Sequence, residues 1–201
     1  MKIKSAVFDV SAPDLKSCPA WALPEFAFIG RSNVGKSSLL NMLVERRELA
    51  KVSVNPGKTK LINFFIINGT WSLVDLPGYG YAAVGQKERD EFNLAVSDYL
   101  EKRRNIFCVF ALIDSRLPPQ RIDRQFVKWL EGCGVPFVLV FTKTDKQSAA
   151  GTEANIALFR ESIGAAGADL PMIFTSSART RSGRNEILGF IEQTLAAHNR
   201  A

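Results

Sequence analysis

The stretch Gly30-Arg31-Ser32-Asn33-Val34-Gly35-Lys36-Ser37 sits where one hydrophobic period gives way to another. Ahead of it, Glu25-Phe-Ala-Phe-Ile29 is a short apolar strand. Behind it, Leu39, Leu40, Leu43 and Val44 fall on one face of a helix. The glycines let the chain bend tightly between the two, so that successive backbone N–H groups point into the turn. The helix that begins there adds its positive end, which makes the turn an anion site. The spacing is G-x-x-x-x-G-K-[ST]. It places the Lys36 ammonium within reach of β- and γ-phosphates and the Ser37 hydroxyl where it can ligate Mg²⁺. A glycine-rich turn with a capping serine is the alternative reading, and the strand before and helix after argue against it. Nucleotide binding is the expectation.

Working outward, strands and helices alternate. Leu61–Ile67 and Trp71–Leu76 read as strands joined by the hairpin signal Asn68-Gly69. A polar, glycine-bearing loop (Pro77 to Lys87) precedes a helix with Phe92, Val96, Tyr99 and Leu100 on one side. Ile106–Ile113 and Val135–Phe141 read as buried strands, with a helix between them marked by Ile122, Phe126, Val127 and Leu130. A helix over Thr152–Ile163, a strand over Met172–Thr175 and a last helix with Ile187, Leu188, Ile191 and Leu195 complete the pattern. The expectation is an α/β three-layer sandwich of the P-loop nucleoside-triphosphatase (NTPase) type, with helices on both faces of a mainly parallel six-stranded sheet. One strand, from the early hairpin, runs antiparallel. Residues 1–24 read as a separate lead-in broken by Pro13, Pro19 and Pro24, and residues 25–201 as a single domain. Ligands in such a sheet sit at the carboxyl ends of the strands.

Three further motifs follow strands of their own. Trp71-Ser-Leu-Val-Asp75-Leu76-Pro77-Gly78 ends a strand in a carboxylate suited to Mg²⁺, with a glycine N–H able to approach phosphate. Alone, Asp75 would pass for an ordinary turn residue. Phe141-Thr142-Lys143-Thr144-Asp145 presents a carboxylate that can accept from guanine N1–H and the exocyclic amine, a donor pair adenine lacks. Ser176-Ser177-Ala178 closes the last strand and offers a backbone N–H to guanine O6. Each string is weak alone, and in this order they reinforce one another.

Together the motifs resemble the translation-factor-related GTPases of the TrmE-Era type, and more closely the bacterial EngB family. The closest resemblance runs through Gly30 to Ser38, Pro56-Gly57-Lys58-Thr59-Lys60 with Leu61 to Phe65, and Asp75 to Gly80. It spans roughly residues 20–195. The resemblance implies a GTP/GDP-binding protein acting in large-ribosomal-subunit maturation, associated with cell division and septation, and cytoplasmic. It makes Thr59 the first-switch threonine, a ligand of Mg²⁺ and the γ-phosphate beside Ser37 and Asp75. Gly57, Lys58, Lys60 and Leu61 then belong to that nucleotide-contacting segment, and Lys36, Thr59 and Gly78 are the groups closest to the chemistry. Asn33 resembles an asparagine that coordinates K⁺ in cation-stimulated relatives, with stabilisation of its own turn as the other reading. Gly78, Gly80 and Gly85 permit motion in the second switch.

Two positions depart from the wider pattern. Tyr79 stands where many related GTPases carry a water-orienting glutamine, so slow intrinsic hydrolysis is expected. Thr142 stands where asparagine is more common, which implies weaker bracing of the base loop. The rival readings are a P-loop ATPase or small-molecule kinase, and a binding module that uses GTP without appreciable turnover.

Composition removes other classes. The chain has 201 residues, 46% of them hydrophobic and 23% charged, which is globular. Its longest apolar run, Ile106–Ile113, is eight residues, too short to span a bilayer. The N-terminus lacks the apolar core of a secretory signal. Cys18, Cys108 and Cys133 are odd in number and scattered, which suits a reducing compartment and small packing roles. The net charge of +6 includes basic residues near the first switch (Arg46, Arg47, Lys51, Lys58, Lys60), Lys102-Arg103-Arg104, and Arg179, Arg181 and Arg184. These could meet rRNA phosphates, although any one cluster reads equally as a solvated face. Trp21, Trp71 and Trp129 are expected in packing roles and His198 at a fraying end. A monomer is expected.

Overall fold

A computed structural model describes residues 1–46, 49, 61–79, 86–164 and 171–198. In chain order the elements are β1 (Ala6–Ala12), β2 (Glu25–Gly30), α1 (Lys36–Val44), β3 (Ile62–Ile67), β4 (Trp71–Asp75), α2 (Gln86–Lys102), β5 (Ile106–Asp114), α3 (Arg121–Cys133), β6 (Phe137–Thr142), α4 (Ala149–Ser162), β7 (Ile173–Thr175) and α5 (Arg184–His198). The strands form one sheet in the order β1-β3-β4-β2-β5-β6-β7. Strand β3 pairs antiparallel with both neighbours, and β4-β2-β5-β6-β7 are mutually parallel.

The expected α/β sandwich is present, with one correction. The sheet has seven strands among the described residues, not six, because residues 6–12 of the expected lead-in add β1 to its edge. The prolines Pro13, Pro19 and Pro24 all follow this strand. Its period is hidden because the register shifts between Phe8 and Val10, so apolar and polar residues do not alternate. Phe8 packs edge-on against Phe65 with ring centroids 5.7 Å apart. Asn68 (φ 52°) and Gly69 (φ 70°) form the hairpin turn between β3 and β4, where both central residues need positive φ.

Strand alternation sorts the core into two layers. On one face Phe26, Phe28, Phe110 and Leu112 pack against Leu39, Leu40 and Leu43 of α1 and Ile187, Leu188 and Ile191 of α5. On the other, Ala27, Ile29, Val109, Ala111, Ile113 and Phe141 meet Tyr99 and Leu100 of α2, Val127 and Leu130 of α3, and Phe159 of α4. Strands β2 and β5 are therefore apolar on both sides, as their unbroken hydrophobic runs require. Each large apolar side chain buried this way contributes roughly 1.5–3 kcal/mol. Trp71 is buried edge-on to Phe26 at 5.5 Å, and Trp21 lies 5.9 Å from Phe64. No described helix is long and apolar enough to cross a membrane.

At the amino end of the parallel strands lies a buried carboxylate that the sequence reading missed. Glu25 accepts from Trp21 Nε1 (2.9 Å), Tyr99 Oη (2.8 Å) and Arg103 Nε (3.0 Å to Oε2). Arg103 also donates to the Pro19 carbonyl at 2.7 Å, tying the lead-in to α2. Arg103 is thus committed internally and adds little to a basic surface. Arg184 donates to the carbonyls of Met42 (3.0 Å) and Leu43 (3.2 Å), closing the last turn of α1.

Candidate functional site

The carboxyl ends of β2, β4, β5 and β6 bring Gly30, Asp75, Asp114 and Thr142 to one edge of the sheet. After β2 the chain passes to β3 and β4 on one side and then crosses to β5 on the other, so the loop after β2 lies at the topological switch point. Asn33 (φ 62°) and Gly35 (φ 106°) both take left-handed backbone angles within this loop. Gly35 is the N-cap of α1, and no side chain caps that end, which leaves the helix's first N–H groups to a ligand. A Cβ on Gly30 would lie 2.9 Å from both Leu112 Cβ and Val34 Cγ1, so only glycine lets β2 and β5 close at that point. A Cβ on Gly78 would lie 2.6 Å from the Gly30 carbonyl oxygen, so the loop after Asp75 rests directly on the phosphate-binding loop. Tyr79 N–H donates to that carbonyl at 3.2 Å, and Leu76 N–H to the Phe28 carbonyl at 3.0 Å.

Lys36 Nζ is paired with Asp75 Oδ1, and both side chains are largely withdrawn from solvent. Ser32 and Ser37 are half-buried, whereas Asn33 and Ser38 are exposed. Val34, Leu76 and Pro77 are buried, so their side chains pack the loops in place. Arg31 turns away from the loop: its Nε lies 3.1 Å from Asp123 Oδ1 in α3, close enough for charge attraction but without hydrogen-bond alignment. Leu61 is exposed just ahead of β3. Gly57, Lys58, Thr59 and Lys60, and with them the first switch, lie outside the described residues, as do Gly80 and Gly85.

The segments Thr142–Asp145 and Ser176–Ala178 lie side by side at the ends of β6 and β7. Ser177 Oγ donates to Asp145 Oδ1 at 2.7 Å, and this bond holds the Asp145 carboxyl below its usual range. The other oxygen, Oδ2, is buried and has no hydrogen-bond partner among the described residues. Ser176 N–H is engaged by the Phe141 carbonyl at 2.8 Å and Ser177 N–H by the Ser182 carbonyl at 3.2 Å, while Ala178 is half-buried beside them. Thr144 N–H donates to the Ser176 carbonyl at 3.3 Å, joining the two motifs along the backbone. Gly183 (φ 80°) permits the loop to fold back, since a Cβ there would lie 2.1 Å from the Thr175 carbonyl oxygen.

Thr142 lies between the base-loop segment and the phosphate-binding loop. Its hydroxyl is buried 2.6 Å from the Val34 carbonyl oxygen and 3.1 Å from that of Ile113, so it reaches the phosphate-binding loop directly. Its single O–H can donate to one of these acceptors at a time. Lys143 (φ 61°) donates to the Asn33 carbonyl at 2.5 Å and to Asp114 Oδ2 at 2.8 Å. Asp114 was not singled out from sequence; nothing local distinguishes it from an aspartate ending a strand.

Tyr79 does not face the phosphate-binding loop. Its ring stacks on Phe126 at 4.3 Å, and its hydroxyl donates to Asp123 Oδ1 at 3.0 Å. Burial pushes the phenol well above its usual value, with the Asp123 charge adding to the effect. Burial likewise raises the Asp123 carboxyl despite Arg31 and Tyr79, and its Oδ2 lacks a hydrogen-bond partner among the described residues. The residue's motif position was legible from sequence; its orientation, set by a helix 44 residues on, was not.

The family model described as "50S ribosome-binding GTPase" matches residues 25–143. A protein of Bacteroides thetaiotaomicron named "Probable GTP-binding protein EngB" is 50% identical over 192 residues, which cover 96% of this chain and 95% of the relative. One of the same name from Porphyromonas gingivalis is 45% identical, covering 96% of each chain. Among solved structures, a crystal structure of "a probable GTP-binding protein engB" superposes with a TM-score of 0.71 at 20% identity, over 86% of this chain and 99% of that one. Era in complex with MgGDPNP and nucleotides 1506–1542 of 16S ribosomal RNA gives 0.66 at 20% identity, over 86% of this chain and 56% of that one.

Proposed function

Because the chain belongs to the EngB family of GTP-binding proteins, we propose that it is a Mg²⁺-dependent GTPase switch acting in assembly of the large ribosomal subunit. The observation that carries this reading is the pairing of an uncapped, glycine-bent helix start with a buried carboxylate oxygen that no described hydrogen bond engages, Lys146 Nζ standing 3.8 Å from it. The first suits phosphates and the second suits the two donors on guanine's edge.

The phosphates lie against backbone N–H groups from Gly30 to Ser38, with Arg31, Ser32, Asn33 and Val34 shaping the loop. Lys36 neutralises charge on the β- and γ-phosphates. Ser37, Thr59 and Asp75 would hold Mg²⁺, which is where a metal ion beside the phosphates is expected. When bound, Mg²⁺ supplies positive charge at the phosphate oxygens. In the described arrangement Lys36 is committed to Asp75, so that pair opens for either residue to take up its role. Gly57, Lys58, Lys60 and Leu61 flank Thr59 in the first switch, while Leu76, Pro77 and Gly78 begin the second. Thr142 and Lys143 hold the phosphate-binding loop, Thr144 anchors the base loop to Ser176, and Asp145 reads guanine. With the Ser176 and Ser177 N–H groups engaged, the Ala178 N–H is assigned to guanine O6.

The ribosomal role rests on the matched family's description and on the EngB resemblance, which also brings the association with cell division and septation. The protein is cytoplasmic and monomeric on this reading. Sedimentation with ribosomal particles tests it: co-migration with the large subunit is expected with a non-hydrolysable GTP analogue and not with GDP. Indifference to nucleotide would remove the switch. A hundredfold excess of ATP should leave fluorescent GDP bound.

Tyr79 favours a second reading. Its side chain is held by Phe126 and Asp123, away from the phosphates, so this chain has no glutamine-like group at that position to orient water. Slow intrinsic hydrolysis follows, and a nucleotide-gated ribosome-binding module with negligible turnover is its limit. Phosphate release with and without large subunits separates the two; absence of turnover in both assigns the module.

A further inference from the structure

We infer that Asp114 is a positioning residue of the guanine-nucleotide site, acting through Lys143 to clamp the phosphate-binding loop and so setting how long a nucleotide stays bound. The inference rests on the reading of that site as a guanine-nucleotide pocket.

Asp114 is the last residue of β5, in register with Thr142 at the end of β6, and is buried. Both of its oxygens are occupied. Oδ1 accepts from Arg116 N–H (3.2 Å) and Nε (2.9 Å), and Oδ2 from Arg116 Nη2 (2.8 Å) and Lys143 Nζ (2.8 Å). Arg116 is a neighbour in sequence and half-exposed. Lys143 is the contact that crosses the fold, 29 residues away. Its ammonium also donates to the Asn33 carbonyl, and its side chain passes 3.6 Å from where a Cβ of Gly35 would stand. The lysine therefore lies across the phosphate-binding loop with its head fixed at two points.

The consequence for the ligand follows from peptide geometry. In a trans peptide the carbonyl and the next N–H point in opposite directions. Thr142 holds the Val34 carbonyl toward β6, so the Gly35 N–H is turned to the other side, where α1 begins. Lys143 holds the preceding carbonyl, that of Asn33, in the same direction. Two consecutive carbonyls are thus drawn out of the anion site by the segment that also carries Asp145, so base and phosphate grips share one scaffold. Lys143 does this from a left-handed backbone conformation that a side chain rarely adopts. Without a counter-charge its long, flexible stem would have one carbonyl and solvent to choose between. Asp114 removes that choice, and a charge-assisted hydrogen bond is the strong kind.

The test is the dissociation rate of fluorescent GDP from the full chain at fixed salt, for wild type, Asp114→Asn, Lys143→Met and the double variant, alongside thermal unfolding without nucleotide. Asp114→Asn is expected to release GDP about tenfold to a hundredfold faster. Lys143→Met should accelerate release at least as much, and the double variant no further, because Asp114 acts only through Lys143. If Asp114→Asn does not fold, Asp114→Glu takes its place. A displaced carboxylate should give a smaller acceleration, which again vanishes on the Lys143→Met background. Unaltered release in Asp114→Asn overturns the inference, as does an acceleration that persists in full on the Lys143→Met background, since that is the behaviour of a purely structural residue. A wild-type chain that holds no GDP overturns the guanine-nucleotide reading and this inference with it.

Discussion

The two ends of the parallel strands each bury carboxylates, and they treat them differently. At the amino end, Glu25 is paired with Arg103 and bonded by Trp21 and Tyr99, so each oxygen has at least one donor. At the carboxyl end, Asp145 and Asp123 each keep one buried oxygen with no hydrogen-bond partner among the described residues. An unsatisfied buried oxygen costs about 1–3 kcal/mol. A fold tolerates it where something other than the chain completes the set, or where a group must be free to move. The closed cluster is a clasp, and of the two open carboxylates Asp145 is the one we propose to read guanine.

The largest expected effect breaks the open end. Asp145→Asn replaces an acceptor with a donor facing guanine, and GTP affinity should fall at least about a hundredfold while xanthine nucleotides gain. Its thermal stability should scarcely change. Competition of GTP and XTP against fluorescent GDP measures the shift, and unchanged GTP affinity would sink the base-reading role.

Breaking the clasp should do the reverse. Arg103→Ala leaves the Glu25 charge buried without its counter-ion, at about 3–5 kcal/mol in denaturant unfolding. GDP affinity per folded molecule should stay within about twofold. A large loss of affinity at unchanged stability would show that the two ends are not separable.

Acid titration sharpens the contrast. Burial by itself would raise the Asp114 carboxyl, but hydrogen bonds from Arg116 and Lys143 outweigh it and hold the group at about 2, below the ordinary 3.8. Its contribution is present above 3.8 and is lost as pH falls toward about 2, and it amounts to about 2 kcal/mol. Asp123 has the opposite sign: its raised carboxyl contributes below the ordinary value and loses that contribution as pH rises through the raised one. Asp114→Asn should therefore flatten the acid limb of the unfolding curve, and an unchanged limb would remove the assignment.

The smallest effect tests Tyr79. Tyr79→Phe keeps the stack on Phe126 and removes the donor to Asp123, costing about 1–2 kcal/mol of stability. GTP turnover should stay within about twofold, because the hydroxyl faces α3. A tenfold fall in turnover at full stability would place Tyr79 in the chemistry after all.

Legibility from sequence followed how local the signal was. The hairpin turn at Asn68-Gly69, the helix after Lys36 and the runs over β5 and β6 were readable because hydrophobic period and turn residues act within a few positions. Strand β1 was not, since its register shift erases the alternation and its burial depends on pairing with β3, more than fifty residues later. Within the site, Gly30 to Ser37, Asp75 and Asp145 were readable as motifs. Asp114, Asp123 and Gly183 were not, because an aspartate near a strand or helix end and a glycine in a loop are ordinary until their neighbours are known.

The order of residues by itself determined that this chain builds an α/β nucleotide-binding fold, and that a glycine-bent turn, a strand ending in Asp75 and a strand followed by Asp145 occur in that order. Those properties reside in contiguous strings whose backbone conformation and chemistry are set locally. Only the tertiary structure decided which polar groups complete one another: Arg103 with Glu25, Lys143 with Asp114, Tyr79 with Asp123, and Thr142 with a carbonyl 108 residues away. The physical reason is that desolvation and hydrogen-bond satisfaction are properties of a buried neighbourhood, and that neighbourhood does not exist until the sheet has closed.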